Sequence, residues 1–188
     1  ITANGKPVCS ANQTPYNLIT HSQAKGLAEE MYKGKNFTCT LLTGSAWDRT
    51  IGFLAEEGTN KKSKSQIYEN SGVWGNYGDV SFDVTNTSAR YSENSGSTYS
   101  TISSSYTKPL NERRLLTTGA TSRNSAKNIY DLAGNVWEWV LQKYSDEYPL
   151  VWRGGSSYSN GSITVYDFTY YNTDFYDGDL GFRPALYL

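Results

Sequence analysis

Apolar residues fall at helical spacing in two places along the first third of the chain. Ala24, Leu27, Ala28 and Met31 stand at i, i+3, i+4 and i+7, which predicts an amphipathic helix over Ser22–Tyr32 with Thr20 or Ser22 as its cap. Trp47, Ile51 and Leu54 share one face of a second predicted helix, Ser45–Glu57, with Thr43 or Ser45 near its start and Gly58 at its end. A single apolar stripe on each places both helices against one side of a sheet or core. From Asn60 to Leu110 the periodicity fades into Ser, Asn, Gly and Tyr, and Lys61-Lys62-Ser63-Lys64 reads as a solvated loop. Arg113-Arg114-Leu115-Leu116 then leads through the turn-rich Thr117–Thr121 into an aromatic and apolar run from Asn128 to Val140. No internal repeat or dividing linker interrupts this pattern, which predicts one domain across residues 1–188.

Composition sharpens the class. With 16 Tyr, 6 Phe, 5 Trp and 17 Gly, the chain suits short strands and many turns better than a helical bundle. A net charge of -1 leaves no basic field for nucleic acid. No run approaches the roughly 20 apolar residues that would insert into a membrane. Cys9 and Cys39 could form one bridge or remain two thiols. The chain begins at Ile1, without an initiator Met or signal peptide, as an excised domain or the C-terminal part of something longer would.

Between Arg153 and Arg183 there is no Lys, Glu, Gln, Met or Trp, although all five occur elsewhere in the chain. The missing set mixes charged, amide, thioether and indole side chains, so no shared property of a surface or core explains it. One rule unites them: none is encoded by a codon ending in C or T. An Asn codon randomised at its adenines yields Tyr, Ser, Thr, Ile, Asp, Phe, Val, Gly and others, and never those five. The segment therefore reads as the product of adenine-directed mutagenesis. Its Tyr, Ser, Thr, Asn, Gly and Asp are also the palette of antibody-like binding surfaces, in which Tyr gives contact area with few rotamers to freeze. Val165 and Phe168 are expected in the core, but so many adjacent Tyr and Asp cannot all be buried.

The flanks carry a resemblance. Tyr130-Asp131-Leu132-Ala133-Gly134-Asn135-Val136-Trp137-Glu138-Trp139, Trp152-Arg153-Gly154-Gly155-Ser156 and Leu180-Gly181-Phe182-Arg183-Pro184 resemble motifs of the formylglycine-generating-enzyme (sulfatase-modifying-factor) branch of the C-type lectin fold. Leu41–Asp48 followed by Ala55-Glu56-Glu57-Gly58 resembles that family's helix motif. Joined to the adenine-directed segment, the chain resembles the variable proteins of diversity-generating retroelements, carried by phages and bacteria. The resemblance implies an α+β fold of two helices packed on short antiparallel strands with long irregular loops. It also implies display on a virion or bacterial cell surface.

Enzymatic chemistry finds no residues to run it. The reactive cysteine pair of formylglycine-generating enzymes belongs between the "RGGS" and "GFR" motifs, where this chain has no Cys; Cys9 and Cys39 precede Trp47. The histidine-ligated iron of a related branch cannot be built from one histidine, His21, which reads as a capping or surface residue. No cofactor is expected; the family's structural calcium would fall on Asp131, Gly134, Val136 and Glu138, unless Glu138 accepts backbone N–H groups in a buried turn. Trp137, Trp139, Trp152 and Phe182 read as core, and Arg153 and Arg183 as holding loop carbonyls at the ends of the segment.

The expected function is a non-enzymatic ligand-binding domain with a variable segment at about 153–183 whose partner is a protein or glycan on a cell surface. The alternative is a non-catalytic relative of the formylglycine-generating enzymes with a fixed structural or carbohydrate-binding role. The expected contact residues are Ser157, Tyr158, Ser159, Thr164, Tyr166, Asp167, Thr169, Tyr170, Tyr171, Asn172, Asp174, Phe175, Tyr176, Asp177 and Asp179.

Overall fold

A computed structural model describes residues 7–187. In chain order the elements begin with α1 (His21–Glu30), β1 (Thr38–Leu41), α2 (Gly44–Ala55) and a short α3 (Lys64–Tyr68). Short strands follow: β2 (Phe82–Val84), β3 (Arg90–Ser92), β4 (Ser100–Thr101), β5 (Tyr106–Lys108), β6 (Leu115–Leu116), β7 (Ser125–Ala126) and β8 (Ile129–Tyr130). The C-terminal part holds β9 (Trp137–Val140), β10 (Leu150–Arg153), β11 (Phe168–Tyr171), β12 (Leu180–Phe182) and β13 (Pro184–Tyr187).

Both expected helices form, each somewhat shorter than its pattern. At α1 the Thr20 hydroxyl accepts the Gln23 N–H while the Gln23 side chain accepts the Thr20 N–H, a reciprocal cap that satisfies two otherwise orphaned donors. Ala24 and Ala28 are fully buried, and their small side chains let α1 lie close on β1 and β9. At α2 the Thr43 hydroxyl accepts the Ala46 N–H at 3.1 Å, and Trp47, Ile51 and Leu54 enter the core. The helix stops at Ala55 because Glu56 turns extended, so Gly58, at φ +137°, lies beyond its end rather than at its cap.

Among the described residues the largest sheet has the order β11-β10-β9-β12. β9, β10 and β11 are antiparallel neighbours, whereas β12 runs parallel to β9, an exception to the expected antiparallel pairing. Alternation along β9 and β10 sends Val140 and Val151 to the α2 side, packed with Trp47, Ile51, Leu54 and Val165. It sends Trp139 and Trp152 to the α1 side, packed with Ile19, Ala24, Ala28 and Leu180. Trp139 and Trp152 meet edge to face with centroids 4.9 Å apart, and the Trp139 indole N–H donates to the Ile19 carbonyl at 3.0 Å. Of the other aromatics expected in the core, Trp137 and Phe182 are only partly buried.

Residues 60–110 are less irregular than their sequence suggests. Ser63 and Gln66 form a second reciprocal cap that starts α3, and Ile67 is buried beneath it. Lys62 is not solvated: it is buried, and its ammonium lies 4.8 Å from the centre of the Trp74 ring. Phe82, Val84, Ala89, Ile102, Leu116 and Ala120 make a separate cluster. At its edge the fully buried Lys108 donates to the carbonyls of Val80 at 2.8 Å and Pro109 at 3.3 Å.

Asn135 ties this region to the sheet. It sits at φ +66°, and its side chain exchanges hydrogen bonds with the Leu116 backbone while its Oδ1 also accepts from Asn76. Neighbouring Gly134 has no room for a side chain, since a Cβ would lie 2.3 Å from the Asn76 carbonyl oxygen. Cys9 is exposed, Cys39 is buried, and both are free thiols. No helix among the described residues is long and apolar enough to cross a membrane.

Candidate functional site: an exposed edge strand and its loop

The segment after Arg153 divides into a buried half and an exposed half. Gly154 and Gly155 adopt φ +95° and +76°, which turns the chain under the Tyr77 ring. Ser156 and Ser157 follow, both buried, the latter donating its N–H to the Asn135 carbonyl. Thr164 is buried too, with its N–H and hydroxyl both donating to Asp167. Ser157 and Thr164 therefore cannot belong to an exposed contact surface, because the turn that carries the segment back to the sheet encloses them.

Several other expected contact residues are half-buried and engaged internally. The Tyr158 hydroxyl meets the Ser95 hydroxyl at 2.6 Å, and Arg113 lies over its ring. Ser159 accepts the Ser156 N–H, and Asp167 closes the turn to Thr164. Asp179 accepts the Ser156 hydroxyl at 3.0 Å; burial pushes its carboxyl up to about 6 against that hydrogen bond, with Asp177 adding repulsion. Phe175 tucks between Trp139 and Trp152, with centroids 5.8 and 5.2 Å away.

The exposed half is continuous. Tyr166 leads into β11, where Phe168, Thr169, Tyr170 and Tyr171 are all exposed, and Asn172, Thr173, Asp174, Tyr176 and Asp177 follow on the loop. Phe168 thus lies outside the core, 38% exposed, on an edge strand where its ring meets Arg153 at 5.3 Å and Tyr144 at 6.0 Å. Val165 is core as expected.

Residues outside the segment extend the face. Tyr144 stacks on Tyr170 with parallel rings 3.9 Å apart, Tyr148 meets Tyr170 edge-on at 5.0 Å, and Tyr68 meets Tyr166 at 5.0 Å. Nothing in local sequence marks these tyrosines; Tyr144 and Tyr148 join the face because the β9–β10 turn brings them against the Tyr170 ring, and Tyr68 because it ends α3 beside Tyr166.

The loop is pinned to the start of α1. The Asp174 carboxylate accepts the N–H of His21 at 2.8 Å, the N–H of Ser22 at 3.3 Å and the Ser22 hydroxyl. Partial burial raises the Asp174 pKa, but these hydrogen bonds outweigh it and leave the pKa lowered. The Leu18 N–H donates to the Asp177 carbonyl, and Asn17 donates to that of Gly178. His21 is the first residue of α1 rather than its cap; its ring packs edge-on to Trp139 and meets the Val140 carbonyl at 3.2 Å.

Both arginines at the ends of the segment act as clamps. Arg153 is buried and bonds the Tyr166 carbonyl, Gln142 and Asp48. Arg183 bonds the carbonyls of Tyr130 and Asp131 and reaches both carboxylate oxygens of Glu138, at 2.9 and 2.7 Å. Glu138 is therefore satisfied by a guanidinium rather than by backbone N–H groups. This also bears on calcium. With both Glu138 oxygens bonded to Arg183, the set Asp131, Gly134, Val136 and Glu138 does not fit a cation.

Comparison with known proteins matches residues 10–187 to the sulfatase-modifying factor enzyme 1-like domain, and the chain belongs to that family. The fold is accordingly α+β, of the C-type lectin type that formylglycine-generating enzymes use, with few helices and short strands. Among solved structures it is similar to Treponema denticola variable protein 1, with a TM-score of 0.56 and 16% identity, over 97% of this chain and 75% of that one. None of the curated proteins compared is similar in sequence. The family includes enzymes, so membership alone does not decide whether this chain is one.

Proposed function

We propose that this chain is a non-enzymatic ligand-binding domain whose C-terminal face is diversified, like the variable proteins of diversity-generating retroelements. One observation carries the reading: the stretch that lacks Lys, Glu, Gln, Met and Trp is also the stretch that supplies the exposed edge strand and loop. A segment open to mutation has to be separated from the core, and here it rests on the buried strand β10. The likeness to a solved variable protein supports the reading at the level of fold.

The residues available for chemistry point the same way. No Cys lies between Arg153 and Arg183, the two thiols lie before Trp47, and the chain has one histidine. The exposed face instead offers Tyr rings and small polar groups, the surface chemistry of adaptable recognition. Its partner is a protein or glycan on a cell surface, and the domain is carried on a virion or a bacterial cell surface.

Neighbouring DNA is the test. The expected finding is a near-copy of the segment with Asn codons at the positions of Tyr166, Tyr170, Tyr171, Asn172, Asp174 and Tyr176, beside a reverse-transcriptase gene. Flanking DNA with neither would leave a non-catalytic relative of the family with a fixed structural or carbohydrate-binding role.

A further inference from the structure

Strand β11 has only one hydrogen-bonded neighbour among the described residues. Its pairing with β10 fixes which backbone groups are used. The Gly154 N–H donates to the Asp167 carbonyl, so residues 154 and 167 are a hydrogen-bonded pair. Such pairs alternate along an antiparallel ladder, which makes Trp152 with Thr169, and Leu150 with Tyr171, the next two. The N–H and C=O groups of Phe168 and Tyr170 therefore point away from β10, toward the open edge.

Protein edges of this kind are usually protected by Lys, Pro or a bulge. Phe168-Thr169-Tyr170-Tyr171 has none of these, and all four residues are exposed. On one face Tyr170 lies against Tyr144 and Tyr148, and on the other Tyr171 lies 4.8 Å from Phe175. Both faces thus carry an aromatic ledge beside an unpaired row of amides.

We propose that the open edge of β11 takes up an extended segment of a partner protein as an added strand, through the backbone groups of Phe168 and Tyr170. This rests on the ligand-binding reading above and narrows its partner to a polypeptide. Donors and acceptors repeated every second residue match an extended chain. Main-chain hydrogen bonds also do not depend on side-chain identity, so the edge supplies a part of the affinity that survives diversification. Charge selects the occupant. Exposed carboxylates at Glu147 and Asp177, with Asp174 at the start of α1, lie on the segments that flank β11, and the exposed amine of Lys143 is already paired with Asp146. A second copy of the chain would bring the same negative rim against itself, whereas a strand with basic flanks complements it.

The test uses the whole domain and a displayed library of random linear peptides of about ten residues, with a glycan array in parallel. Enriched peptides are expected to be basic at their ends. When bound, they should slow amide exchange at Phe168 and Tyr170 by about tenfold or more, and leave Thr169 and Tyr171 unchanged. Tyr170→Pro removes an outward N–H that the fold does not use, a substitution edge strands tolerate. It should bind the peptides about tenfold more weakly than Tyr170→Ala, which keeps that N–H.

Four results would overturn the added strand: peptides that bind without protecting those two amides, equal binding by the Pro and Ala variants, ligands found only on the glycan array, or concentration-dependent protection without any peptide. If binding also survives Tyr170→Ala combined with Tyr171→Ala, the ligand-binding face itself is misplaced. Loss of binding in that pair without amide protection removes only the added strand.

Discussion

Replacing Asp174 separates what its charge does from what its shape does. In the native fold its carboxylate accepts the first two free N–H groups of α1, those of His21 and Ser22, while Thr20 takes the third, that of Gln23. The two caps use different donors, so losing one leaves the other in place. Removing a side-chain cap costs about 1 kcal/mol, and a negative charge at an exposed helix start adds about 0.3–1 kcal/mol before screening by salt. With salt screening taking away much of the charge contribution, Asp174→Ala should destabilise the domain by about 1–1.5 kcal/mol. In a chain of this size that lowers Tm by roughly 2–6 °C. Asn keeps an acceptor oxygen and is itself a good cap, so Asp174→Asn should cost less than about 0.5 kcal/mol. Because the folded-state pKa is lowered, the advantage of Asp over Asn is present above the unfolded carboxylate range near 3.9. It should vanish as the pH falls through the lower folded value. Thermal melts of the three proteins at pH 7 and at pH 3, at low and high salt, measure this. If Asp174→Ala melts with the wild type, or Asp174→Asn falls as far as Asp174→Ala, the loop is not held as described.

Three further outcomes are expected. Joint replacement of Tyr166, Thr169, Tyr171, Asn172 and Tyr176 by other residues with codons ending in C should shift stability by about 0.5 kcal/mol or less per site, whereas Trp139→Ala should cost about 3–5 kcal/mol; urea melts compare them. Burial pushes Lys108 down to about 8, so between there and its ordinary 10.5 the unfolded chain holds a proton that the folded chain has released. Stability should then rise with pH from 8 to about 9.5, by at most about 1.4 kcal/mol per pH unit, and Lys108→Met should flatten that slope in denaturant titrations. Purified protein should not oxidise cysteine-containing peptides with oxygen, with or without copper or iron, and turnover above a buffer blank would count against the non-enzymatic reading.

The helices were legible because each combines a periodic stripe with a hydroxyl cap, and Trp47 and Trp139 sit in motifs whose spacing implies burial. The short α3 could also have been found, since Ser63 and Gln66 have capping-box spacing, but the lysines around them read as solvated. Lys62 shows why that failed: its neighbour Trp74 is twelve residues away and meets it only in the folded chain. Within the site, the residue-type gap located the exposed face but could not divide it. Phe168 and Val165 look alike as apolar residues, and only the position of β11 at the edge of the sheet separates them. Ser157 and Thr164 resemble exposed polar residues, yet the turn after the Gly154-Gly155 pair encloses both. Tyr144 and Tyr148 carry no local signal, because their place on the face is set by the β9–β10 connection.

Because β11 lies outside a strand whose own residues Val151, Trp152 and Arg153 are all buried, the fold has an outer layer that can change without opening the core. If the segment is diversified as proposed, that geometry sets the yield of the repertoire. With native stability of about 5–15 kcal/mol, even six exposed changes at about 0.5 kcal/mol each leave most members folded. Were the same changes to reach Trp152 or Val165, a single unfavourable draw could remove most of that margin, and the usable fraction would shrink with every added site. On that reading, an exposed edge decides how many of the varied sequences become proteins that selection can act on.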